Sequence, residues 1–110
     1  MLESKWTREV CKELEGLGAK VVAFVAQKMQ EPGIPDRYIC HRFWRGFLEF
    51  KGATTRLQTN QRMFISAINL RGGNAFVVRY PGFVEDVRGT VLGKFDDGTE
   101  LLLLLVKLSN

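Results

Sequence analysis

Residues 47–51, Phe-Leu-Glu-Phe-Lys, constrain this chain more than any other segment. Large apolar residues alternate with charge at the period of a strand, where successive side chains point to opposite faces. Phe47, Glu49 and Lys51 then share one face, and Leu48 and Phe50 share the other. Glu49 and Lys51 are either an exposed ion pair at a sheet edge or a carboxylate and an amine turned inward. The inward pair suits a phosphate, because a carboxylate binds a divalent metal through oxygen and an ammonium offers a compact positive charge.

Around this strand the chain reads as α-β-β-β-α-β. Residues 3–17 predict a helix, with Trp6, Val10, Leu14 and Leu17 at helical spacing and glycines at 16 and 18 to stop it. Val21–Ala26 predicts a buried strand, and Arg37–Arg42 a second one after the turn-rich Gln30–Pro35. Phe43–Gly46 makes a tight connection to the third strand. A second helix opens at Gln58 or Thr59 and runs to Gly72, and Ala75–Tyr80 predicts a fourth strand. Asp97–Gly98 reads as a hairpin turn between Val91–Phe95 and Leu101–Val106. At 110 residues the reading is a single domain, 1–110, with a core over 3–80 and an extension over 81–110.

Asp36 gives the charged strand a partner. If the second and third strands form an antiparallel hairpin, the start of one lies beside the end of the other. Asp36, Glu49 and Lys51 then meet at one end of the sheet. Charge is distributed to match. The chain carries 16 Lys+Arg against 12 Asp+Glu, and residues 37–62 hold six basic side chains against the one acid Glu49. The whole excess sits in that segment, which reads as an anion-binding patch.

Gly33-Ile34-Pro35-Asp36 followed by Glu49-Phe50-Lys51 resembles the signature of the PD-(D/E)xK nucleases. Leu57-Gln58-Thr59-Asn60-Gln61 is similar to the loop and helix start of the small VRR-NUC branch, which includes Holliday-junction-resolvase-like proteins. The fourth strand, Val78-Arg79-Tyr80, carries one arginine of the pair that names that branch. The resemblance implies an α/β, restriction-endonuclease-like core with a mixed sheet flanked by helices, here with a C-terminal β-hairpin. It implies a Mg²⁺-dependent endonuclease, with Mn²⁺ as a substitute, that hydrolyses phosphodiester bonds in DNA and prefers branched structures or four-way junctions. Asp36, Glu49 and the Phe50 carbonyl would hold the metal, Lys51 the water or a phosphoryl oxygen, and Gln61 would stand beside Lys51. Arg37, Arg42, Arg45, Arg56 and Arg62 would contact DNA phosphates. The rival reading is a non-catalytic nucleic-acid-binding module on the same fold.

The resemblance also implies a Glu on the first helix near the metal. Periodicity favours Glu13, whereas chain direction favours Glu3. The first strand must end near Asp36, the helix runs back along it, and the helix start therefore lies at the site. Glu13 falls about 15 Å further along at 1.5 Å per residue. Glu3 is the expected ligand, with Glu9 next.

Two cysteines, Cys11 and Cys40, make neither a disulfide framework nor a metal cluster. The N-terminus lacks an apolar signal core, and Leu101–Val106 is far short of the ~20 residues that span a bilayer. The expectation is a cytoplasmic protein, bacterial or phage-encoded, without membrane contact or a small-molecule organic cofactor. Read as a strand, Leu101–Val106 would present leucines on both faces, and a second copy would cover the surplus. A homodimer follows from that reading.

Overall fold

The computed structural model describes residues 2–24 and 32–109, with the side chains of residues 2–4 outside the description. The order is α1 (Leu2–Gly16), β1 (Lys20–Ala23), β2 (Arg37–Cys40), β3 (Arg45–Lys51), α2 (Thr59–Leu70), β4 (Ala75–Arg79), β5 (Phe83–Glu85), β6 (Val91–Lys94) and α3 (Gly98–Leu108). One sheet carries all six strands in chain order. β3 and β4 pair in parallel, joined by the α2 crossover, and every other neighbour is antiparallel. This is the α/β mixed sheet the sequence predicts.

The two faces of β3 sort the helices. Leu48 and Phe50 pack with Val10 and Leu14 of α1, Leu101 and Leu105 of α3, and Val78 and Val84 of the sheet. The opposite face is covered by α2, where Ile65 closes over Ala75 and Val77, with Phe47 and Ile68 at the rim. Burying one such aliphatic side chain stabilises by about 1.5–3 kcal/mol. Glu49 and Lys51 point to the α2 face, just beyond the end of this smaller core.

Three sequence expectations differ from the structure. The β2–β3 turn spans His41–Trp44, closed by His41 N–H to the Trp44 carbonyl at 2.8 Å and the reverse bond at 3.2 Å, so β3 starts earlier than expected. β2 ends at Cys40 rather than Arg42, and Trp44 in the turn is buried, its indole N–H donating to the Ser109 hydroxyl. His41 is also internal. Its Nε2 lies 2.9 Å from the Leu17 carbonyl, which can only accept, and its Nδ1 accepts from Phe43 N–H at 3.1 Å. Residues 25 and 26 of the expected first strand lie outside the described residues.

The third difference is the C-terminus. A C-terminal hairpin exists, but β5 and β6 form it, and Leu101–Val106 is helical. Asp97 is the N-cap of α3, its carboxylate accepting the Glu100 N–H at 2.9 Å, so the Asp-Gly pair starts a helix instead of turning a hairpin. Glu13 seals the same end. Its Oε1 accepts the Gly98 N–H at 2.6 Å, and a Cβ on residue 98 would stand 2.6 Å from the Glu13 Cβ, so only glycine fits. Leu101 and Leu105 enter the core one turn apart, while Leu103 remains 65% exposed. The leucines are therefore divided between two faces of a helix, not two faces of a strand.

Candidate active site

The β2–β3 register places Arg37 opposite Leu48, which sets Asp36 across from Glu49. Asp36 N–H donates to Glu49 Oε1 at 3.0 Å. In return, Phe50 N–H points at the Asp36 carboxylate, 3.4 Å from each oxygen. The second oxygen of Glu49 faces Gln61 Nε2 at 3.2 Å and Lys51 Nζ at 3.5 Å. Glu49 and Lys51 are 5% and 8% exposed, so this charge sits in a largely dry environment. Asp36, Glu49, Lys51 and Gln61 come together at the C-terminal end of β3.

Local structure explains the convergence. Gly33 has φ +90, and a Cβ there would lie 2.2 Å from the Asn60 carbonyl. Glycine alone lets the Gly33–Asp36 segment lie against the start of α2, which brings Gln61 over Glu49. Gln61 is also held by its own helix, since its Oε1 accepts the Gln58 N–H at 3.0 Å in a capping box. With its oxygen occupied, the amide presents its NH₂ to Glu49.

Both carboxyls hold their protons more tightly than usual. Burial pushes Asp36 up to about 7, helped by the Glu49 charge and opposed by Arg37. Burial also raises Glu49, with Lys51 pulling the other way. Two neighbouring carboxylates that resist joint ionisation form an oxygen donor pair that a divalent cation would relieve. Among the described residues no group of three or more His, Cys, Asp or Glu comes together. Two carboxylates are nevertheless enough for Mg²⁺, which commonly binds through one or two and keeps several waters. The residues present fit that ion.

Glu3 lies in the first turn of α1, and its side chain is outside the described residues. One turn on, Trp6 meets Phe50 and Tyr80 edge-on, with centroids 5.9 and 5.3 Å apart. Tyr80 N–H donates to the Lys51 carbonyl at 2.8 Å. The start of α1 thus lies at the Lys51 end of the sheet, and Glu13 is committed to α3. Glu9 is exposed.

The five arginines do not form one patch. Arg37 stays at the site, with Nη1 3.0 Å from the Asp36 carbonyl and 4.0 Å from its carboxylate. Arg42 and Arg45 are exposed at the opposite end of β3, about 20 Å from Lys51 at ~3.3 Å per residue, with Arg42 over the Phe43 ring. Arg56 and Arg62 instead line a recess of about 290 Å³ on the α2 face, together with Arg88. The length of the β2–β3 hairpin separates residues that adjacency in sequence groups.

Arg79 and Glu85 were not assigned from sequence. Arg79 pairs in register with Lys51. Its Nε donates to Glu85 Oε1 at 2.9 Å, and its Nη1 donates to the Gly52 and Thr55 carbonyls at 2.7 Å each. It therefore clamps the loop that leads from Lys51 to Gln61. The alternation of Ala75, Val77 and Arg79 places Arg79 on the Lys51 face. Its partner lies on a three-residue strand too short to read.

Neither a family model nor a curated protein sequence matches the chain. Solved structures do. A VRR_NUC domain superposes with a TM-score of 0.60 at 23% identity, over 78% of this chain and 86% of its own. Archaeoglobus fulgidus Hjc, a Holliday junction resolvase from an archaeal hyperthermophile, superposes with a TM-score of 0.58 at 14% identity, over 90% of this chain and 92% of its own. The fold implied by the PD-(D/E)xK resemblance is the fold of this chain.

Proposed function

We propose that this chain is a metal-dependent DNA endonuclease, structure-selective for branched DNA such as four-way junctions. The observation that carries the reading is the convergence of Asp36, Glu49 and Lys51 at one end of β3. Two structures of the same fold, a VRR_NUC domain and a Holliday junction resolvase, support it.

Asp36, Glu49 and the Phe50 carbonyl would hold Mg²⁺ or Mn²⁺, with Glu3 from α1. When bound, the ion supplies Lewis-acid stabilisation of charge on the phosphoryl oxygens and acidifies water. The residues of the chain supply position. Asp36 N–H, Gln61 and Lys51 fix the Glu49 carboxylate from three directions, so its orientation is set before substrate arrives. Lys51 holds its ammonium where it can bind the attacking water or a non-bridging oxygen, and Gln61 keeps a donor beside it. Hydrolysis of this kind depends on positioning and charge stabilisation, without a Ser, Cys or His nucleophile.

The metal site makes a stability prediction. An acid whose pKa is raised on folding binds more protons folded than unfolded, so stability falls as pH rises from about 4 to about 7. For Asp36 the loss is ~2–4 kcal/mol at ~1.4 kcal/mol per pKa unit, after allowing for its partial exposure. Thermal melts without metal should show that fall, Mg²⁺ should reverse it at neutral pH, and Asp36→Asn should remove both effects. The Mg²⁺ increment should also shrink in Glu49→Gln and Glu3→Gln but not in Glu13→Gln. Equal increments in wild type and Glu49→Gln would sink the site.

The reading includes a cytoplasmic location, supported by two free cysteines; among the described residues no helix is long and apolar enough to cross a membrane. It also includes a homodimer, which would set two sites in opposite senses for paired cuts. Its support is now Leu103 and Val106, 65% and 41% exposed on α3. Light scattering should give twice the 12.5 kDa chain mass, falling to one chain in Leu103→Lys. A wild-type mass of 12.5 kDa across micromolar concentrations contradicts the dimer.

A further inference from the structure

Of the four arginines that line the recess on the α2 face, Arg79 is engaged by Glu85 and the loop carbonyls, which leaves Arg56, Arg62 and Arg88. Arg56 lies in the loop that Arg79 clamps through the Thr55 carbonyl. Arg62 projects from the first turn of α2 and is steadied by its Nε on the Val87 carbonyl at 3.4 Å. Arg88 is presented by the β5–β6 turn, where Asp86 Oδ1 accepts the Arg88 and Thr90 N–H groups at 2.9 and 3.0 Å. Two acids also line the recess. Glu85 is buried and closed by Arg79, and Asp86 is engaged by its own turn. The recess therefore presents net positive charge.

Its place in the sheet relates it to the active site. Glu49 pairs with Val77, and Val77 pairs with Glu85, so the three form one row on the same face. Neighbouring strands are ~4.8 Å apart, which puts the Glu85 end of that row about 10 Å from Glu49. Measured along a duplex axis, that distance is about three base-pair steps at ~3.4 Å each. Planar, always-charged guanidinium groups favour phosphate by bidentate contact.

We propose that Arg56, Arg62 and Arg88 form a phosphate-binding recess that takes a backbone phosphate of the DNA a few nucleotides from the bond being cut. The assignment of DNA as the ligand rests on the nuclease reading, and the recess gives that substrate a second, metal-independent anchor.

The test measures fluorescence anisotropy of a labelled four-way junction in EDTA across a salt series. Loss of one phosphate contact should lower the log–log salt slope by ~0.9 and weaken binding about eightfold near 0.1 M salt. Arg62→Ala/Arg88→Ala should show both changes. Arg88→Ala alone, on an exposed turn, should show part of them even if the double variant loses stability. Arg71→Ala, at the other end of α2, should match wild type. An unchanged slope in both recess variants overturns the proposal. Calorimetry with inorganic phosphate separates the ligand sources: loss of phosphate binding with an unchanged DNA slope would assign the recess to a free anion and overturn it too. Because metal is absent, a chain that never cleaves but loses slope keeps the recess and defeats the nuclease reading. A chain that cleaves without slope loss does the reverse.

Discussion

Lys51→Ala should slow DNA cleavage by at least ~10²–10³-fold, the range for removing one charge-stabilising donor from an active site. Lys51 lies 3.5 Å from Glu49 Oε2 and is 8% exposed, so solvent cannot replace its charge. It also opposes the burial-driven rise of Glu49 more strongly than Arg37 does. Removing it leaves two neighbouring carboxylates without their nearest ammonium, at the point where a phosphate must approach. Binding of DNA without metal should weaken by no more than about eightfold near 0.1 M salt, because one phosphate contact at most is lost. Single-turnover cleavage compared with anisotropy in EDTA separates the two effects. Near-wild-type cleavage in the variant removes Lys51 from the mechanism.

Arg79→Ala should destabilise the fold by ~2–4 kcal/mol, since Glu85 would be left buried without its partner. Arg79 and Glu85 side chains are 17% and 9% exposed, so the pair is not a screened surface contact. The same substitution frees the Gly52 and Thr55 carbonyls, loosening the loop between Lys51 and Gln61. A double variant separates these losses. Arg79→Met with Glu85→Leu should recover most of the stability, because a buried ion pair replaced by apolar residues is close to neutral. Cleavage should stay low, since the loop carbonyls still lack their donor. Recovery of cleavage along with stability would show that the clamp has no bearing on the site.

The site was legible where two simple constraints met. Strand alternation put Glu49 and Lys51 on one face, and hairpin direction put Asp36 beside them. Neither depends on neighbours distant in sequence. Chain direction likewise placed Glu13 away from the carboxylates, and the structure ties it to Gly98 at the other end of α1. The C-terminus was not legible, because Asp-Gly serves a hairpin turn and a helix N-cap equally well. A run of leucines also carries no period to decide between them. The arginines misled for a related reason. Residues 37–62 are basic as a stretch, yet the β2–β3 hairpin sends Arg42 and Arg45 to one end and leaves Arg37 at the other. Arg88, which joins Arg56 and Arg62, lies on a turn whose flanking strands have three and four residues. Gly33 shows the converse. Its place in the Gly-Ile-Pro-Asp motif gains a cause only when the Asn60 carbonyl is seen where a side chain would be.

The central claim is that the Asp36–Glu49–Lys51 cluster cleaves DNA with a divalent metal. The most direct test incubates the wild-type chain with a labelled four-way junction in Mg²⁺ and in EDTA, beside Glu49→Gln in Mg²⁺. The account predicts strand cleavage by wild type in Mg²⁺, none in EDTA, and none by Glu49→Gln although it still binds the junction. Junction binding by wild type with no cleavage in Mg²⁺ or Mn²⁺ would contradict it and make the chain a non-catalytic DNA-binding module on a nuclease fold.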